Sequence, residues 1–146
     1  MQVQGSIKAL VLTSVAIGAV IAALILAGNS LAASGSYCSN SEYWAASKDA
    51  GDYQDSAHDL YMADQPLDAY GEMLDAKYTI SAASLPCHPS LRKMRTLELL
   101  TYATWATGYR EAYLEHYSAA LRAFKKVGKY LKQQQRLLRQ VPSSAF

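Results

Sequence analysis

The chain is poor in the residues that most often carry chemistry. Its 146 residues include two cysteines, three histidines and four prolines. No glycine-rich phosphate loop, nucleophile triad, zinc-ligand spacing or haem-attachment pattern occurs in it. Apolar residues do not alternate with polar ones over strand lengths, so a sheet protein is excluded. Charge is missing from a long stretch: no acidic or basic residue lies between Lys8 and Glu42. Phenylalanine is scarce too, with two copies against eleven tyrosines. These absences leave a helical chain with no visible catalytic group.

What fills the uncharged stretch is informative. Residues 9–27, ALVLTSVAIGAVIAALILA, hold neither charge nor proline. At about 1.5 Å per residue, such a helix approaches the roughly 30 Å hydrocarbon core of a bilayer. Lys8 alone precedes it, which favours a cytoplasmic N-terminus and an exported C-terminal part. The reading is an N-terminal anchor or signal segment over 1–33 and an exported domain over 34–146. The run is long for a cleaved signal peptide, yet Ser30-Leu31-Ala32 supplies a small-x-small site with cleavage after Ala32. A lipoprotein is not expected, because Tyr37 stands directly before Cys38, where such signals need a small residue. Ser14, Gly18 and Ala22 are spaced by four, so one face of the span admits close approach of a second membrane helix.

The exported part is divided by charge. Residues 38–83 carry nine acids against two lysines, a formal −7, and residues 84–146 carry eleven bases against three acids, a formal +8. The two halves either face each other and cancel or leave their charge for partners and membrane. Apolar spacing is helical throughout. Ser39-Asn40-Ser41-Glu42 reads as a capping box opening a helix over about 40–63. Asp64-Gln65-Pro66 breaks it, and a second helix runs over about 66–84 to Pro86. A long helical stretch follows Pro89-Ser90 and ends at Val141-Pro142; it is expected to break at His116-Tyr117-Ser118 with Ser118 as N-cap, or else at Thr107-Gly108. The fold class is all-α: a membrane or signal helix, then a small bundle of about four helices in two antiparallel hairpins.

The segment LEHYSAALRAFKKV, residues 114–127, resembles the turn and second helix of a tetratricopeptide repeat. Tyr117, Ala120, Phe124 and Val127 match that family's aromatic–alanine–aromatic–apolar spacing, and Gly108 falls where it places a small residue. Tyr53, Ala57, Leu60 and Tyr61, then Ala69, Met73 and Ala76, resemble a second copy. Alanine and glycine let antiparallel helices approach while aromatics fill the gaps beside them. Matching positions lie 51 residues apart, where that family recurs at 34, and Pro66 stands in place of an aromatic. The resemblance implies a binding or scaffold role rather than chemistry.

Few residues compete for a site. Asp55 and His58 share a helix face, and Glu111, Glu115 and His116 could add ligands, but a di-iron bundle needs two carboxylate-x-x-His pairs and two further acids. No metal or cofactor is therefore expected. Tyr102, Trp105, Tyr109, Tyr113 and Tyr117 form an aromatic stripe, read as core plus part of an interface rather than a cofactor pocket. The last helix sets Lys125, Lys126, Lys129, Lys132 and Arg136 against an apolar face, as a surface for an acidic partner or an anionic membrane. Cys38 and Cys87 are the only cysteines of an exported chain and fall at one end of a hairpin, so they are expected to pair, with His88 a loop residue beside them. Nucleic acid does not suit an exported protein.

Together these readings predict a non-enzymatic accessory or scaffold subunit that docks on a larger membrane complex. The alternative is a cleaved periplasmic or secreted bundle holding a small ligand or metal.

Overall fold

The computed structural model describes residues 37–146. The apolar run with Ser14, Gly18 and Ala22, the site after Ala32 and the boundary at residue 33 lie outside the described residues. Within them are four helices: α1 (Asn40–Met62), α2 (Pro66–Ala82), α3 (Pro89–Tyr113) and α4 (Tyr117–Leu138). A short 3-10 turn, Ser143–Ala145, closes the chain. No strand occurs among the described residues, and no helix among them is long and apolar enough to cross a membrane.

Local chemistry sets each boundary. Ser39 is the N-cap of α1, its Oγ accepting the Glu42 N–H at 3.2 Å. The reciprocal half of the capping box is replaced: the Ser39 N–H donates to the Leu85 carbonyl at 2.9 Å instead. Proline opens both α2 and α3, where its missing N–H costs nothing. The break before α4 falls two residues earlier than expected. His116, not Ser118, occupies the N-cap, without a side-chain bond, and Ser118 is already helical. Thr107-Gly108 lies inside α3 and does not interrupt it.

The two hairpins, α1–α2 and α3–α4, turn in the same way. Asp64 and Glu115 are the two non-glycine residues at positive φ, 61° and 59°, among the described residues. At the first turn the Gln65 N–H reaches the Leu60 carbonyl and the Asp64 N–H that of Tyr61. At the second, the His116 N–H reaches Glu111 and the Glu115 N–H reaches Ala112. Both are Schellman caps with an acid in the left-handed position that glycine usually takes. The bonded residues correspond at a constant offset of 51.

Small residues at the same offset hold each hairpin shut. Ala57, Ala69 and Ala76 are fully buried in the first; Gly108 and Ala120 occupy the matching places in the second. At Gly108 the approach is tighter, because a Cβ would overlap the Phe124 ring. α2 packs against both α1 and α3, so the core runs from Ala50 and Met73 through Ile80 to Tyr102 and Tyr109. Each large side chain fully buried there contributes about 1.5–3 kcal/mol.

A second, smaller core sits at the other end. Tyr43, Leu91 and Met94 pack with Val141 and Ala145, which return from the C-terminus. Trp44 Nε1 donates to the Ala145 carbonyl at 2.9 Å and the indole stacks on Phe146. The Cys38–Cys87 disulfide is formed at this end, with the Cα atoms 4.9 Å apart. Asn40 Oδ1 accepts from the N–H groups of both Cys87 and His88, and Arg92 Nε donates to the Pro86 carbonyl. His88 is more than a bystander: its Nδ1 accepts the Ser90 N–H and caps α3.

Candidate functional site

The predicted aromatic stripe divides. Tyr102 and Tyr109 are buried, and Trp105 stacks on Tyr109 within a cluster completed by Tyr61 and Phe124. Burial, then the neighbouring Tyr61, pushes the Tyr109 hydroxyl up to about 12. Trp105 Nε1 is buried with no hydrogen-bond partner. Tyr113 and Tyr117 are instead 43% and 68% exposed, although the spacing of the stripe is unbroken. The α3–α4 turn lies between them and carries them out of the core.

Those two tyrosines line a groove between the two hairpin turns. Leu67, Asp64 and Asp68 form one wall and Tyr113, Glu115 and Tyr117 the other. No lysine or arginine lines it. Large apolar side chains crowd this end: Met62, Leu67, Leu114 and Leu121 are all more than 40% exposed. A second groove, between α1 and α2, is lined by Asp49, Asp52, Tyr53, Ser56, Glu72 and Thr79. It too is acidic, but it offers a single aromatic ring.

The metal candidates do not converge. Asp55 and His58 are both exposed on α1, and no three potential ligands form a cluster among the described residues. His116 is bonded to Glu111 instead, Nδ1 to Oε2 at 2.9 Å.

That contact is the single acid–base pair within 4 Å among the described residues, and it is an ion pair only when His116 is protonated. The acidic α1–α2 hairpin and the basic α3–α4 hairpin lie side by side, yet no carboxylate of one meets a base of the other within 4 Å. Lys125, Lys126, Lys129, Lys132 and Arg136 are all exposed on α4, and Lys126 lies 5.7 Å from the Tyr130 ring. The α4 apolar face is turned inward through Ala120, Ala123 and Val127, leaving the bases as an outer face.

One charged residue escaped the sequence reading. Glu98 is 7% exposed in the middle of α3. Tyr43 Oη donates to its Oε2 at 2.8 Å and Ser47 Oγ to its Oε1 at 2.6 Å. Burial pushes the Glu98 carboxyl above its ordinary value; the bonds from Ser47 and Tyr43 and the charge of Arg95 oppose that without cancelling it. Arg95 spends its guanidinium on the Ile80 and Ser81 carbonyls, where it caps the end of α2. A signal for Glu98 was present. It follows Leu91 and Met94 at helical spacing, so an acid stands on the apolar face of α3.

No family model, curated protein or solved structure matches the chain. The geometry therefore carries the functional argument alone. The buried Glu98 carboxyl, bonded to the Tyr43 and Ser47 hydroxyls, ties α3 to α1. The grooves are open, and the larger surfaces are charged or apolar and unpaired.

Proposed function

We propose that the chain is a non-enzymatic docking subunit of a larger assembly at a membrane. Residues 9–27 supply the attachment and the helical domain supplies the contacts. The observation that carries this reading is the segregation of charge. Two packed hairpins of formal −7 and +8 make no ion pair with each other among the described residues. A domain that used these charges for its own stability would interdigitate them. Left apart, they present two faces of opposite sign, which steer association and select partners.

The exposed tyrosines fit the same reading, since tyrosine serves surfaces that are half wet and half covered. The resemblance to tetratricopeptide hairpins also points to binding. Native electrophoresis of gently solubilised membranes tests it. The chain is expected to migrate in a complex far above its 16.0 kDa. Recovery of the whole population at monomer size would overturn the reading.

A further inference from the structure

We infer that the groove between the two hairpin turns receives a lysine- or arginine-bearing segment of a partner protein. This rests on the docking reading above and names where one contact is made and with what chemistry.

Charge gives the sign of the occupant. Asp64, Asp68 and Glu115 line the groove with no base among the lining residues. Arg122 lines an adjoining hollow with Glu115 and His116 and forms no ion pair with Asp64, Asp68 or Glu115. Tyr113 and Tyr117 add ring faces, which attract a cation once carboxylates have brought it close. Leu67 supplies an apolar floor for the methylene stem of a lysine or arginine.

The turn chemistry argues that these acids are not incidental. Asp64 and Glu115 hold left-handed backbone conformations at the cap position where glycine is the easy choice. At both turns the chain keeps a carboxylate there instead. Position matters too. The chain enters the bundle at Tyr37, at the disulfide end, whereas the groove lies at the far end of the 23-residue α1, roughly 35 Å away at helical rise.

The test places a photoreactive phenylalanine at Leu67 in the full-length chain, in cells that produce it, and sequences the crosslinked segment. The expected product is another protein, joined next to a lysine or arginine. The variant Asp64→Gly with Glu115→Gly removes both charges where glycine suits the backbone. Its melting temperature should rise while crosslinking falls roughly tenfold. Asp49→Asn with Asp52→Asn makes the same change of charge in the other acidic groove and should leave crosslinking intact. Crosslinking to lipid, to α4 of a second copy or to a segment without a base overturns the proposal. So does the absence of any crosslink, or equal loss in both variants. Native electrophoresis of the same samples separates the two failures. A wrong crosslink on a chain still within a large complex removes the groove alone, whereas a chain at monomer size removes the docking reading as well.

Discussion

The two hairpins share a frame and differ in nearly everything laid upon it. Their turns close with the same hydrogen bonds at an offset of 51, and each puts an acid in the left-handed cap. The first is acidic and sealed by buried alanines; the second is basic and sealed by glycine against phenylalanine. The first is tied by a disulfide, and the second is held by noncovalent contacts alone. Backbone register and small-residue spacing therefore specify the hairpin, while the outward side chains remain free to set charge. A surface can diverge to opposite signs without disturbing the packing beneath it.

The disulfide is the sharpest way to separate the two. It closes a separation of 49 residues around the first hairpin. Its loss in Cys38→Ser with Cys87→Ser should cost up to about 4 kcal/mol in the chain-entropy account, read by urea denaturation. Hydrogen exchange should show the loss concentrated in α1 and α2, with the α3–α4 hairpin less affected. Equal loss of protection in both would mean that the hairpins unfold as one unit.

Gly108→Ala strikes the second hairpin. The added methyl meets the Phe124 ring, which is already packed by Tyr61, Trp105 and Tyr109. A loss of about 1–3 kcal/mol is expected despite the better helix propensity of alanine. At the matching place in the first hairpin the reverse change, Ala57→Gly, should cost about 1 kcal/mol from propensity alone, plus the lost methyl contact. If Gly108→Ala is neutral in a thermal melt, the two seals are equivalent after all.

Glu98 joins the hairpins, bonded across to Tyr43 and Ser47 of α1. Its carboxyl is held above the ordinary value in the fold, so the native state keeps a proton that the unfolded chain releases. Its share of stability is complete in acid, below the ordinary carboxyl value, and is lost as pH rises from there to the folded-state value. Within that window the slope is at most about 1.4 kcal/mol per pH unit. Glu98→Gln should remove that slope, which comparison of its urea midpoints with those of the parent chain from pH 4 to 8 would reveal. A parallel pH dependence in the two proteins would show that Glu98 is ionised in the fold.

The smallest effect probes what the hairpins share. Asp64→Gly and Glu115→Gly relieve the same left-handed strain, and each should gain about 0.5–1 kcal/mol by thermal melting. Similar gains would sustain the equivalence of the turns. A loss at one of them would show that its acid supports the fold.

Much of the frame could be read from residue order. Helix ends followed Ser39, Pro66 and Pro89, because caps and prolines act locally. The cysteine pairing followed from hairpin topology and the small number of cysteines. The N-cap of α4 lies two residues before the expected Ser118, a shift that residue order hides because a left-handed glutamate, unlike glycine, carries no local signal. Trp44 bonding to Ala145 could not be foreseen, since it joins residues 101 apart through a tail without periodicity. Of the candidate groove, Tyr113 and Tyr117 were visible as part of a stripe. Asp64 and Asp68 were not associated with them, because only packing of one hairpin on the other brings the two turns together.

The disulfide also determines where tension would travel. Cys38 lies one residue after Tyr37, where the chain enters the helical domain, and Cys87 lies just before α3. A pull applied between the preceding segment and the C-terminus passes through the sulfur–sulfur bond directly into α3 and α4. Helices α1 and α2 hang beside that line as an unloaded loop. The acidic hairpin, with Asp64 and Asp68 at its tip, would thus keep its shape while the basic hairpin bears the force. In an optical trap the oxidised chain would extend short of its full contour, and adding reductant would release the slack held in that loop.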